Sequence, residues 1–335
     1  MSEPLESAGP ITEEDAPDAL PEGAPSPFWR RALPFAVALA LVAFTLHKVD
    51  LPTFARHVAA VNAPAFLLFS VAFVLSLLTA DAFATAVVYR RTVAPVSFRE
   101  LWILRGASYL PSLLNHHVGQ AFLTYYVARR HGVSLARMAG GTLLVYVSWM
   151  GCLLGAGCIA MAAAGMPLLW PGLALAAGVA YLALIALSPA PLARIKLVAP
   201  LFEAGLMGHL VALGVRIPHF LVLFLGTWLP FSFFAVDIPP LHALTYIPIL
   251  MVVVTLPLTP QGVGTRDLVA VTFFERFAAG ATHDERLAAL AAATASWAVA
   301  FTLVEALVGL VLLRRALPAL EGRAAAARPL PAQGP

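Results

Sequence analysis

Charged side chains stand where the surrounding sequence is apolar, and the clearest case is Arg266 followed by Asp267. An ionised side chain inside a membrane segment costs about 2.5–3.5 kcal/mol unless it is paired or hydrated. We expect Arg266 to receive a lipid phosphate, together with free N–H groups of the helix that begins near it. Asp267 either belongs to this site or is a favourable acid in a first helical turn. The loop before it would let a headgroup approach the backbone, and it contains Gln261, Gly262 and Gly264.

A second polar interruption follows another apolar run, and it contains Asn115, His116, His117 and Gln120. Histidine changes charge near neutral pH, so the pair could relay protons, meet a phosphate or form a polar tip without a ligand. Adjacent helical residues point about 100° apart, which disfavours a shared metal ion. The sequence predicts neither a metal nor a cofactor.

Two further acids, Asp81 and Glu305, lie far inside apolar stretches. Either could couple transport to protons, provide a countercharge for Arg266, or make a hydrogen bond between helices. Three arginines beside apolar segments are expected to gather anionic headgroups or to orient the chain at the membrane interface: Arg105, Arg129 and Arg130.

Composition places the chain among membrane proteins, because 60% of its 335 residues are hydrophobic and 12% are charged. Basic residues beside apolar runs are determinants of topology, so we expect no contact with nucleic acid. Residues 1–28 are acidic and rich in proline, which predicts a disordered tail. The membrane domain should cover residues 29–316, with halves at about 30–165 and 166–316, and a second disordered tail should cover residues 317–335.

The hydrophobic pattern predicts an all-α protein with about six full transmembrane helices and two broken or re-entrant hairpins. The spans are expected at about 32–46, 64–88, 138–164, 168–187, 219–236 and 287–313, and the hairpins at about 101–128 and 241–279. Residues 197–216 should lie in the interface. Each half then reads as span, span, hairpin and span in opposite orientations, an inverted repeat with both termini in the cytoplasm. Residues 241–258 are long enough that they could instead span fully.

The segment TPQGVGTRD at residues 259–267 resembles the TPGGxGxRE signature of the lysylphosphatidylglycerol synthase transmembrane region, a family of flippase-like membrane proteins. Residues 118–137 are similar to a second block of that family, with Gln120 where the family has an acid. The resemblance covers about residues 30–315. It implies a bacterial inner-membrane protein that translocates a phospholipid, polyprenyl lipid or glycolipid. It implies no aminoacylation, because no hydrophilic domain follows Arg315.

Our leading hypothesis is a lipid transporter in which both hairpin tips meet and hold an anionic headgroup in one polar chamber, with alternating access. A second is an intramembrane hydrolase or transferase, with His116 or His117 as base and Asp81 or Asp267 as its orienting acid. A third is a non-catalytic partner of a lipid or glycan synthase that docks through the acidic tail. The sequence predicts no oligomeric state.

Overall fold

Long apolar stretches of the sequence form long helices. The structure, a computed structural model, describes residues 51–113, 115–163, 165, 167, 169–255 and 265–326. The α-helices in these ranges are α1 (Leu51–Ala60), α2 (Ala63–Thr92), α3 (Phe98–Ala107), α4 (Tyr109–Ser112), α5 (His116–His131), α6 (Leu135–Ala163), α7 (Leu169–Leu187), α8 (Ala190–Ala193), α9 (Ala199–Trp228), α10 (Pro240–Thr255), α11 (Thr265–Phe274) and α12 (His283–Ala326). Short 3-10 helices follow α9 and α11, at Leu229–Phe234 and Glu275–Phe277.

Four segments of the described chain are long and apolar enough to cross a membrane: Ala63–Thr92, Leu135–Ala163, Ala199–Phe234 and His283–Ala316. Two shorter apolar helices cover Pro171–Leu187 and Pro240–Val252. The predicted all-helical, multi-pass architecture is therefore confirmed for the described residues. Five of the six expected spans fall in this part of the chain, and the one at residues 168–187 corresponds to a shorter helix rather than to one of the four long segments. The first predicted span, residues 32–46, and the acidic tail lie outside the described residues.

The central helix α9 packs against α2 and α6. Gly226 of α9 makes one of the closest approaches, since a Cβ atom added there would lie 1.9 Å from the ring of Phe73 in α2. Gly106 of α3 lies equally close to Leu312 of α12, with 2.1 Å between the added Cβ and the leucine side chain. Small residues at such contacts are typical of helices packed within membranes.

Helices α3, α4 and α5 form the first hairpin, residues 98–131. Glu100, in the first turn of α3, lies 2.7 Å from Nε of Arg130 and 3.1 Å from Nε2 of His131, both at the end of α5. These contacts hold the two ends of the hairpin together. At its tip, Asn115 caps the N-terminus of α5.

Helices α10 and α11 form the second hairpin, residues 240–274. An antiparallel bridge joins Val236, before α10, to Ala278, after α11, so this hairpin also returns to its starting point. Two backbone hydrogen bonds flank the bridge. The 16 residues of α10 extend about 24 Å, less than the roughly 30 Å of hydrocarbon in a bilayer. The break expected between the arms, at residues 256–264, lies outside the described residues.

The first hairpin begins and returns at one end of the long helices, and the second begins and returns at the other end. Arg137, at the start of α6, forms a two-point ion pair with Glu203 near the start of α9 and also donates to the Thr92 carbonyl at the end of α2. A short connection from α2 places the first hairpin at this end, which we call the basic end. Helix α9 runs away from it and ends where Trp228 donates to the Ile238 carbonyl, beside the second hairpin.

Two boundaries differ from the sequence expectation. Residues 197–216 do not form a separate interfacial helix: α9 begins at Ala199 and continues through the segment after a kink at Gly205, whose φ of 58° glycine adopts easily. Arg216 therefore lies inside a membrane-crossing segment. At the other terminus α12 continues to Ala326, beyond the expected end of the membrane domain at residue 316.

Candidate functional site

A buried carboxylate, Asp81 of α2, lies between two arginines from other helices. Its Oδ2 is 2.5 Å from Nε of Arg105 in α3, and its Oδ1 is 2.5 Å from Nη1 of Arg216 in α9. The exposed fractions of the three side chains are 9% for Asp81, 12% for Arg105 and 2% for Arg216. We call these three residues the charge cluster.

Neighbouring polar groups orient both guanidinium groups. Gln120 of α5 accepts a hydrogen bond from Nη1 of Arg105 at 3.0 Å, and Thr85 of α2 accepts one from Nη2 of Arg216 at 3.2 Å. Among the described residues, the buried Nε of Arg216 has no acceptor. Two guanidinium groups thus face one carboxylate, and the cluster keeps an excess of positive charge and of hydrogen-bond donors.

The charge cluster lies deep in the bundle. Asp81 is about 17 Å from Thr92 at the end of α2, and Arg216 is about 17 Å beyond the kink at Gly205, from the helical rise of 1.5 Å per residue. Both reference points lie at the basic end. Since the hydrocarbon of a bilayer is about 30 Å thick, both estimates put the cluster near its middle.

Glu305 of α12 lies close to the charge cluster without joining it. Its side chain is buried, and its charge interacts with that of Arg105 and with Tyr109 of α4. Gly309, one turn further along α12, packs against Tyr109. Among the described residues, Glu305 forms no ion pair within 4.0 Å and no hydrogen bond.

His116 connects the charge cluster with the tip of the first hairpin. Its side chain is exposed, yet it is near enough to interact with the charges of Arg105, Asp81 and His219. His219 of α9 itself lies 3.9 Å from Oδ1 of Asp81. The exposed histidine therefore marks a side from which a polar group could approach the buried arginines.

The rest of the predicted tip has different roles in the structure. Asn115 accepts the backbone N–H of His117 at 2.8 Å, which makes it a helix cap. His117 is exposed and packs edge to face with His116, with 5.9 Å between ring centres. Of the four residues that the sequence grouped at this tip, His116 and Gln120 are near the charge cluster.

Arg266 has a separate environment at the start of α11. Its Nη2 donates to the Thr294 carbonyl of α12 at 2.9 Å, and its guanidinium lies 4.8 Å from the ring centre of Trp297. Its Nε is 4.0 Å from Oδ1 of Asp267. The cavity beside these residues measures about 10 Å³, room for no more than one water molecule. In this conformation the described residues around Arg266 leave no space for a headgroup.

Aromatic side chains lie between the two arginine environments. Along α12, Trp297 and Phe301 fall between Thr294 and Glu305, and both rings pack with Phe73 of α2. Arg266 and His116 therefore have different neighbours, whereas the sequence led us to expect one shared chamber. Three other predicted members of that chamber lie outside the described residues: Gln261, Gly262 and Gly264.

Several charged residues have partners other than the expected ones. Asp81 is the countercharge of Arg105 and Arg216 rather than of Arg266, and Arg105 is buried rather than at the interface, because α3 packs along α2. Arg129 is exposed and donates to the Tyr125 hydroxyl at 2.8 Å, as an interfacial residue can. Arg130 pairs with Glu100 at the basic end.

Sequence reasoning missed two members of this region, Arg216 and His219. Both were assigned to the edges of segments, since residues 197–216 were interpreted as an interfacial helix. A signal was available, because Arg216 has apolar runs on both sides, and an ionisable residue in such a setting indicates a functional site by default.

The fold and this site define a multi-pass helical membrane protein with a buried, positively charged cluster in its interior. A family model gives the more particular assignment. The model of the lysylphosphatidylglycerol synthase TM region matches residues 31–291, and the chain belongs to this family. The match confirms the resemblance seen at residues 118–137 and 259–267. Comparisons with curated proteins and with solved structures gave no match.

Proposed function

We propose that this protein carries a lipid with an anionic, phosphate-containing headgroup across a bacterial cytoplasmic membrane. The observation that carries the proposal is the charge cluster, in which Arg105 and Arg216 outnumber Asp81 near the middle of the bilayer. Membership of a family of lipid-related membrane regions supports it.

The chemistry of the cluster suits a phosphate. Guanidinium groups present N–H donors in a planar fork that matches phosphate oxygens, and such charge-assisted bonds are strong where water is scarce. Arg216 retains an unused Nε donor, and Gln120 and Thr85 fix the direction of the two forks. A phosphate monoanion would neutralise the excess positive charge. The acyl chains would remain in the surrounding hydrocarbon.

The two hairpins supply the moving parts in this proposal. Each returns to its own starting point, and the two starting points lie at opposite ends of the helices. We take them as re-entrant hairpins of an inverted repeat, one of which enters the bilayer from each side. We take the basic end as the cytoplasmic side. Alternating access would then open the path past one hairpin while the other is closed.

Arg266 and Asp267 enter the proposal as the gate of the second hairpin. Their contacts with α12 belong to a conformation closed on that side. When that side opens, these residues and the preceding segment, with Gln261, Gly262 and Gly264, would receive the headgroup.

A lipid hydrolase or transferase is less well supported. Such an enzyme would need Asp81 or Asp267 to orient His116 or His117 as a base. Both carboxylate oxygens of Asp81 face arginines, and Asp267 lies beside Arg266, in the environment separate from that of His116.

The test is transport of fluorescently labelled phosphatidylglycerol in proteoliposomes, scored by protection of the label from an impermeant reductant. The wild-type protein should move this lipid faster than labelled glucosylceramide, which has no phosphate. Arg216→Lys keeps the positive charge but loses the planar set of guanidinium donors. It should slow phosphatidylglycerol transport by about tenfold, which corresponds to a free-energy difference of about 1.4 kcal/mol.

Arg315→Lys is the matched control, because Arg315 is exposed at the basic end of α12, and it should transport at the wild-type rate. Equal rates for both lipids in the wild type, or an Arg216→Lys protein as fast as Arg315→Lys, would contradict the proposal.

A further inference from the structure

We infer that Glu305 binds and releases the proton that accompanies each lipid, so that transport is a symport of lipid and proton. The inference rests on the proposed function and adds its energy source.

The geometry separates Glu305 from the other buried acid. Asp81 has an arginine at each oxygen, whereas Glu305 is 6% exposed with no ion pair or hydrogen bond among the described residues. A carboxylate without an ion pair at this depth stays ionised only while nearby positive charge compensates it, and it takes up a proton when an anion cancels that charge. The charge of Glu305 interacts with that of Arg105, so Glu305 lies beside the charge cluster.

Charged and titratable groups face Glu305 from two packed elements. Arg105 of α3 interacts with its charge, and Tyr109 of α4 lies on the same side. Asp81 of α2 competes for Arg105, which it binds at 2.5 Å. His116 and His219 belong to the electrostatic surroundings of Asp81 and Arg105, and they are the alternative proton carriers.

Charge balance then sets the coupling. With a phosphate monoanion bound, Arg105 and Arg216 are balanced by Asp81 and the phosphate, so a neutral, protonated Glu305 leaves the site uncharged. Without the phosphate, the same two arginines are balanced by Asp81 and an ionised Glu305. A site inside a low-dielectric bundle stays neutral in both states if Glu305 gains one proton as the lipid enters and loses one as it leaves.

The proton moves with the lipid in this cycle. Water on the loading side supplies the proton to the Glu305 carboxylate as the phosphate reaches the arginines. On the far side the phosphate departs, and the excess positive charge near Arg105 favours loss of the proton from Glu305 to water. One phosphate monoanion and one proton cross together, so the step transfers no net charge.

The experiment imposes a pH gradient on proteoliposomes that contain trace labelled phosphatidylglycerol. In the wild type the label should accumulate in the leaflet that faces the alkaline side, by up to about tenfold per pH unit, since one unit corresponds to about 1.36 kcal/mol. Glu305→Gln should lose this accumulation and retain exchange of label without a gradient. Asp284→Asn, an exposed carboxylate in the first turn of the same helix, should respond as the wild type does.

Three results would overturn the inference: a wild-type protein that exchanges the label but distributes it without regard to the gradient, accumulation on the acidic side, or a Glu305→Gln protein that still responds. Loss of the response in His219→Gln but not in Glu305→Gln would overturn it as well, in favour of histidine.

A second measurement keeps the inference testable if the wild type moves no lipid, a result that would contradict the proposed function alone. Infrared difference spectra on adding phosphatidylglycerol to the purified protein, after subtraction of the ester C=O bands of the lipid itself, should show the C=O band of a newly protonated, buried carboxyl. The band should be absent from Glu305→Gln and present in Asp284→Asn. Its absence from the wild type would remove Glu305 as the proton site.

Discussion

The two hairpins both bring an arginine into the interior, but the two arginines are satisfied in different ways. At the first hairpin, Arg105 shares Asp81 with Arg216, and part of their donor capacity stays unused. At the second, Arg266 is held by the Thr294 carbonyl and the face of Trp297. The first set keeps an unused donor and an excess of positive charge, which our proposal assigns to an anion, whereas the second joins α11 to α12. In our proposal the first set binds the headgroup, and the second closes the path beside α12.

The largest effect should come from removing the one carboxylate of the charge cluster. Asp81→Leu leaves two buried guanidinium groups without a countercharge, and it should lower the free energy of unfolding by about 3–5 kcal/mol. Arg216→Leu leaves Arg105 paired with Asp81, and it should cost much less. Thermal unfolding in detergent, followed by tryptophan fluorescence, measures both. Equal destabilisation by the two substitutions would show that excess positive charge is not a property of this cluster.

A lysine at the second hairpin should have a smaller effect on stability. Arg266→Lys keeps the charge but loses the planar contact with Trp297 and the donor to Thr294, which should cost about 2–3 kcal/mol. In folded protein it should slow phosphatidylglycerol transport less than Arg216→Lys does, because Arg266 acts as a gate in our account. If Arg266→Lys transports phosphatidylglycerol more slowly than Arg216→Lys does, the roles that we assign to the two arginines would be reversed.

The aromatic layer between the two regions offers a packing test. Gly226→Ala should destabilise by about 1–2 kcal/mol, because the new Cβ meets the ring of Phe73. Gly178→Ala in α7 is the control, with no atom within 4 Å of its added Cβ, and it should stabilise slightly through helix propensity. Chemical denaturation in a mixed micelle measures the free energy of unfolding of each variant. A change of the same sign in both variants would argue against close packing at Phe73.

The smallest effect should be a pH-dependent one at the end opposite to the basic end. The hydrogen bond from His283, with help from Arg286, lowers the pKa of Glu275 below its ordinary value of 4.5. A lowered pKa contributes stability above the ordinary value, and this contribution is lost as the pH falls through the folded-state value. Hydrogen exchange of residues 275–286 should therefore be faster in Glu275→Gln than in wild type at pH 7, with the difference vanishing in acid. A difference that grows on acidification would contradict this assignment.

Much of the fold could be predicted from hydrophobic runs. The expected spans at residues 64–88 and 138–164 correspond to Ala63–Thr92 and Leu135–Ala163, because length and apolar content decide membrane segments with little help from tertiary contacts. Inside such a segment the break at Gly205 was not predicted, and the interfacial helix drawn from residues 197–216 was wrong.

The sequence predicted which residues belong to the candidate site better than it predicted which of them contact each other. Asp81, Arg105, Gln120 and His116 each stood out as polar residues among apolar ones, but sequence spacing cannot show that α3 lies along α2 and α9 beside both. Arg216 was missed for that reason, since its depth depends on how α9 continues past Gly205. The family signature at residues 259–267 directed attention to Arg266, which the structure places in a separate environment.

The most direct test of the central claim is the ratio of phosphatidylglycerol to glucosylceramide transport in Arg216→Leu, a variant that keeps the Asp81–Arg105 pair. If Arg105 and Arg216 together hold the phosphate, this ratio should fall by at least about tenfold relative to wild type while the protein stays folded. A folded Arg216→Leu protein with the wild-type ratio would contradict the account.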